Sequence, residues 1–183
     1  MSTAELLSIA MLLRQRGEID DRIAEIIGRP LRSGRLAEWI AAVIFDIELD
    51  DAAGAARHSG VDGRFRTGPL AGATVNIEHY PRDQGLLNMT DAEELDYYLV
   101  MTGPRGPAGN APPWSIDQVY LFDAQALFDT MREHLRRIGI GTSVRSAYWY
   151  AAQIHPLPVN PALVLTADQS AALDVFKSEY SGT

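Results

Sequence analysis

"VDGRFRTGPLAGATVNIEHY", Val61 to Tyr80, decides how the chain is read. It divides into two short strands, with Gly68-Pro69 and Gly72 marking the connection. Side chains alternate along a strand, so Ala73, Val75, Ile77 and His79 point one way on the second strand, and Thr74, Asn76, Glu78 and Tyr80 the other. On the first strand Asp62, Arg64 and Arg66 share a face. Antiparallel pairing with the polar sides together puts Asp62 opposite Glu78 or one diagonal step from it. Two acids on one wall are explained either by a metal ion between them or by a charge network with Arg64 and Arg66.

Working outward, Ser2 and Glu5 have the spacing of a capping box, and Leu6, Leu7, Ala10 and Leu13 repeat at helical spacing, which predicts a helix over Thr3–Arg16. A second short helix is expected over Asp20–Ile27, stopped by Gly28 and Pro30. Ser33 can cap a third in "GRLAEWIAAVIFDIEL" (34–49), apolar all round and so expected to be buried, with Glu38 on its Ala41, Ala42, Phe45 side. "LDYYLVMTG" and "SIDQVYLFD" read as further strands, separated by a Gly/Pro-rich loop from Gly103 to Pro113. Asp123 caps a helix ending at Gly139, with Leu127, Met131, Leu135 and Ile138 on its buried side. "VRSAYWYAAQIHP" fits helix or strand, "ALVLT" fits an edge strand, and Asp168–Lys177 a closing helix. The expected architecture is α/β, an α/β/α sandwich around a mixed sheet of four or five strands. One domain is expected, with a helical extension over 1–32, a core over 33–138 and C-terminal elements over 139–183.

Composition removes several function classes. The chain has 183 residues and no Cys, so disulfides, zinc–thiolate sites and cysteine nucleophiles are excluded. Lys177 is the only lysine, which excludes a phosphate-binding G-x-x-x-x-G-K-[ST] loop. Net charge is −8, which opposes general adhesion to nucleic acid and confines any such contact to a local patch. The arginines nearest the paired acids, Arg64, Arg66 and Arg82, are the candidates for that patch. No secretory leader or long apolar run is evident, so a cytoplasmic protein with no membrane partner is expected. His58, His79, His134 and His155 lack metal-ligand spacing, and the Tyr148-Trp149-Tyr150 run reads as packing.

A helix bearing Glu38, a strand with Asp62-Gly63, a strand with Asn76-Ile77-Glu78, a strand "DYYLVM", another strand and a helix follow in that order. This order resembles the PD-(D/E)XK superfamily of restriction-endonuclease-like nucleases over roughly Ser33 to Ile138. The resemblance implies a metal-dependent phosphodiester hydrolase, with Glu38 as the helix acid and Asp62 as the strand acid. It also sets Asn76 where the family carries its second acid, and Glu78 where it carries lysine. In such a site carboxylates hold Mg²⁺ and the lysine orients or activates the attacking water. Three expectations follow from different classes. The first is a nuclease-like domain with a degenerate triplet, working as a nucleic-acid or protein interaction module with residual metal binding. The second is an active Mg²⁺-dependent nuclease with Glu38, Asp62 and Glu78 catalytic and Glu38, Asp62, Asn76 and Glu78 as ligands. The third is a small-molecule binding protein or structural subunit of a homo-oligomer.

Overall fold

The computed structural model describes residues 3–28, 35–50, 60–105, 114–135 and 138–178, and the side chains among these from residue 10 onward. The expected cap at Ser33, the Ser2–Glu5 capping box and most of the 103–113 loop lie outside the described residues.

Six strands form one sheet, more than the four or five expected, in the order β1-β2-β3-β5-β6-β8. These are β1 (Ile47–Leu49), β2 (Gly63–Phe65), β3 (Thr74–Tyr80), β5 (Tyr97–Thr102), β6 (Gln118–Asp123) and β8 (Gln153–His155). All neighbours are antiparallel except β3 and β5, which run parallel from Val75↔Tyr97 to Tyr80↔Thr102. A separate two-stranded sheet pairs β4 (Leu86–Leu87) with β7 (Thr142–Ser143).

β5 and β6 are largely apolar on both faces, as strands covered twice must be. Leu99, Met101, Val119 and Leu121 enter one core with Ala37, Ile40 and Ala41 of α2 (Arg35–Phe45) and Leu173 of α5 (Ala167–Asp174). Tyr98, Val100, Tyr120 and Phe122 enter the other with Leu127 and Met131 of α3 (Ala124–Arg132) and Trp149 of α4 (Ser146–Ala152). Helices therefore cover both faces of the sheet. Beyond Ile138, β8 and α5 add Ile154 and Leu173 to the first core. The Asp123 cap is present, its side chain accepting from the Ala126 N–H at 2.9 Å.

Several local expectations are corrected. α1 runs unbroken over Thr3–Ile27 instead of splitting near Gly17, because one glycine weakens a helix without ending it. Among its described side chains only Ile27 is buried, while Leu12, Ile19 and Ile26 are exposed. α2 stops at Phe45 because Asp46 takes a positive φ of 54°, and the chain leaves directly into β1. Its surface is one-sided, since Val43 is exposed. α3 ends at Arg132, short of Gly139. "ALVLT" forms no strand, and "VRSAYWYAAQIHP" is a helix followed by β8.

Asp46 also ties β1 to the β2 exit. Its carboxylate accepts from Arg66 Nε at 2.8 Å, from Arg66 Nη2, and from Thr67 Oγ1 at 2.6 Å. The Thr67 hydroxyl first, and then Arg66, hold the Asp46 carboxyl below the usual carboxylate range.

Gly63 is required by close approach. A Cβ there would lie 2.4 Å from the Glu48 carbonyl oxygen and 2.9 Å from Ile47 Cγ2. Gly63→Ala is expected to destabilise the chain by about 1–3 kcal/mol through overpacking of β1 against β2, read as a lower denaturation midpoint. An unchanged midpoint would contradict this packing.

Candidate functional site

β3 organises the site. Its register with β2, Gly63↔Val75, sets Asp62 directly across from Asn76 and one diagonal step from Glu78, as the alternation pattern requires. The Asp62 N–H donates to the Val75 carbonyl at 2.8 Å, which extends the ladder one residue past β2.

The Asp62 carboxylate is held by the neighbouring strand, not by arginine. Its Oδ2 accepts from the Ile77 N–H at 2.7 Å and from Asn76 Nδ2 at 3.1 Å. Asn76 Nδ2 also donates to the Gly60 carbonyl at 2.9 Å. With both donors turned that way, Asn76 Oδ1 is left buried and without a hydrogen-bond partner. Buried polar atoms are nearly always paired, so an orphan oxygen beside an acid marks a place for a donor or a cation.

Glu78 lies two residues on, hydrogen-bonded by the side chains of Asn88 and Tyr80. The Tyr80 hydroxyl in turn accepts from the Asn88 N–H at 2.9 Å, and Asn88 Oδ1 accepts from the Gly141 N–H at 3.0 Å. Burial, then the charge of Asp62, pushes the Glu78 carboxyl up to about 7, and Glu38 adds to the push. Burial likewise raises Asp62 to about 6, against the Ile77 N–H and helped by the charges of Glu38 and Asp50. Burial first, and then Glu78, raises the Tyr80 hydroxyl, so it remains a donor. Glu38 on α2 is thus near enough to act on both acids through its field.

Arg64 and Arg66 do not hydrogen-bond these acids. Arg66 is bound to Asp46, and Arg64 Nη1 donates to the Gly72 carbonyl at 3.4 Å. A charge network of Asp62 and Glu78 with Arg64 and Arg66 is not what forms. Arg82 lies half-buried beyond β3. Among the described residues, no three His, Cys, Asp or Glu side chains stand close enough together to hold a metal ion. Glu38 therefore does not close a three-acid group with Asp62 and Glu78, and the polar side chains brought together on β2 and β3 are two carboxyls and the Asn76 amide.

His79 and Trp149 make packing contacts. His79 Nε2 bonds the Ser115 carbonyl at 2.9 Å, and its ring stacks on Trp114 at 4.6 Å. Trp149 packs edge-on against Tyr120 and Phe122.

A second feature was not read from the sequence. A cavity of about 470 Å³ opens beyond the end of β3, lined by Asp83, Gly85, Arg105, Gln118, Tyr120 and Trp149 among others, and it shares no residue with the Asp62–Glu78 group. The signal for it was present in Gln118 and Gln153, polar residues that open β6 and β8.

No protein-family model matches the chain, and no curated protein matches it in sequence. Among the described residues no helix is long and apolar enough to cross a membrane.

The raised acids make stability depend on pH with a definite sign. The folded chain keeps protons on Asp62 and Glu78 that the unfolded chain gives up near their ordinary values of 3.8 and 4.5. Their contribution is complete below those values and is lost as pH rises through about 6 and about 7. Burial lowers His79 and His155, which works the other way over part of this range. Each single variant, Asp62→Asn or Glu78→Gln, is therefore expected to gain Tm over wild type at pH 7.5 and to lose most of that gain at pH 5. An equal gain at both pH values would show that the acids are not protonated in the folded chain.

Proposed function

We propose that the chain is a restriction-endonuclease-like domain with a degenerate catalytic triplet, one that binds nucleic acid instead of cutting it and retains a weak seat for a divalent cation. The observation that carries this reading is the state of position 78. Where the resemblance sets a lysine there is a carboxyl raised to about 7, beside an Asp62 raised to about 6. Among the described residues, a water molecule at this site would meet no lysine to orient it, and only acids to take its proton. Helices on both faces of the sheet, Glu38 within electrostatic range, and Asp62 across from Asn76 support the same architecture.

When bound, Mg²⁺ would supply Lewis-acid polarisation of a phosphate oxygen. Asp62, Asn76 Oδ1 and Glu78 would hold it, with Tyr80 and Asn88 hydrogen-bonding the Glu78 carboxyl. Arg64, exposed on the strand that follows Asp62, is a contact for a phosphate. Arg66 extends that patch, whereas Arg82, past the far end of β3, is a separate contact. With a net charge of −8, such binding should be local and should weaken steeply with salt.

The active-nuclease reading, with Glu38, Asp62 and Glu78 catalytic, is favoured by one observation, the unpaired Asn76 Oδ1. Wild-type protein is expected to shift single- or double-stranded DNA or RNA in a gel at low ionic strength without cleaving it, in Mg²⁺ or Mn²⁺. The double variant Asn76→Asp/Glu78→Lys, which rebuilds the family triplet, is expected to gain Mg²⁺-dependent nicking on the order of 100-fold above wild type, the scale of a positioned proton-transfer group. Cleavage by wild type would establish the active-nuclease reading instead, and absence of any shift would remove nucleic acid as the partner. Mg²⁺ at ten times its dissociation constant should stabilise wild type by roughly 1.4 kcal/mol and Asp62→Asn not at all. A wild-type melt indifferent to millimolar Mg²⁺ and Mn²⁺ would remove the cation seat.

A further inference from the structure

The cavity beyond β3 is built from buried polar groups whose hydrogen bonds are incomplete. Asp83, its side chain only 7% exposed, uses Oδ1 to accept from the Gly85 N–H at 3.2 Å. Among the described residues its Oδ2 has no full-strength donor. The Tyr120 hydroxyl is 3.4 Å away and is drawn closer to Gln118 Oε1, and Arg105 Nε is 3.9 Å away. A hydroxyl has one proton, so the bond to Gln118 leaves Asp83 Oδ2 short of a donor. The opposite deficiency sits on Trp149, whose buried Nε1–H has no acceptor among the described residues. That nitrogen stands beside Gly85, 3.9 Å from where a Cβ would be, and both residues line the cavity.

The walls specify the rest of the ligand. Tyr120 and Trp149 lie edge to face with centroids 4.7 Å apart, which fixes both rings, while Tyr150 at the rim is 62% exposed and offers a ring to stack on. Asp83 and Arg105 balance each other in charge, which disfavours a cationic ligand, whereas the exposed Arg105 side chain can receive an anionic tail. The volume, about 470 Å³, lies within the range of small-ligand sites, roughly 300–1,000 Å³.

We propose that this cavity binds a nucleobase, donating from a ring N–H or amino group to Asp83 Oδ2, accepting from Trp149 Nε1–H and carrying its phosphate to Arg105. The site goes beyond the nuclease-like reading and holds whether or not Asp62 and Glu78 meet a phosphodiester. The base comes either from a free nucleotide or from an unstacked position in a single strand, and one set of titrations separates the two.

Calorimetry with GMP, AMP, CMP and UMP, with the corresponding nucleosides, with ribose 5-phosphate, and with short single-stranded oligonucleotides tests it. At least one mononucleotide is expected to bind in the micromolar to sub-millimolar range, and ribose 5-phosphate is not. Asp83→Asn keeps the Oδ1 bond to Gly85 but presents a donor in place of Oδ2, so it should weaken binding about tenfold or more, one lost hydrogen bond to a charged group. Arg105→Ala, on an exposed side chain, should lower mononucleotide affinity to that of the nucleoside and leave nucleoside binding unchanged. Oligonucleotides binding much more tightly than every mononucleotide would assign the base to a strand, and equal or weaker binding would assign it to a free nucleotide. The proposal is overturned if no mononucleotide, nucleoside or oligonucleotide binds at millimolar concentration. It is also overturned if binding survives both variants unchanged, or if ribose 5-phosphate binds as well as the nucleotides.

Discussion

The parallel pairing of β3 with β5 is the constraint on which the rest depends. It joins the antiparallel β1-β2-β3 meander to the antiparallel β5-β6-β8 run, making one sheet of two otherwise independent pieces. Parallel strands need a long connection, and residues 81–96 provide it, carrying β4 and returning at Asp96. The return is pinned where the two strands begin. The Thr74 N–H donates to Asp96 Oδ2 at 2.8 Å, and the Asp96 N–H donates to Thr74 Oγ1 at 2.8 Å. These reciprocal bonds start β3 and β5 level with each other.

Both sites use that same strand. Asn76 and Glu78 project from β3 itself, and Asp62 is aligned to it by the ladder. Asp83 comes just after β3 ends, where Asp83 and Arg105 form a bridge that continues in parallel. The crossover therefore sets two groups of acids at different heights along one line of backbone. The first is raised in pKa by burial and by its own charges. The second has an arginine beside it, a phenol and an indole. They differ in chemistry because the strands around them differ: β2 brings only its own acid, while β6, α4 and β8 bring amides and rings.

Much of the first site was legible in the sequence because strand alternation is a strict local rule. Asn76 and Glu78 had to share a face, and an antiparallel β2 had to bring Asp62 alongside. What occupied Asp62 was not legible, since Arg64 and Arg66 were equally near in sequence. The structure chooses backbone and Asn76 because Arg66 is taken by Asp46, a residue whose positive φ no hydrophobic pattern announces. The same turn hid β1, read as a continuation of α2. The second site could not be read at all, for its walls come from five separate segments between Asp83 and Gln153. Of the Tyr148-Trp149-Tyr150 run, read as packing, Trp149 is buried while Tyr150 is exposed, and the unpaired nitrogen of Trp149 becomes visible only once its neighbours are placed.

The junction between α2 and β1 is a single residue, Asp46, clamped to Arg66 and Thr67. A helix turns about 100° per residue. With β1 locked in the sheet, the angular phase of α2 is therefore set by that one residue, and so is the bearing of Glu38 toward Asp62. A lengthened junction would swing Glu38 a quarter-turn or more around the helix axis and carry its charge away from both acids, while the strands kept their register. A substitution at the acidic site changes one group there, whereas a change in the length of this joint moves Glu38 relative to both acids at once.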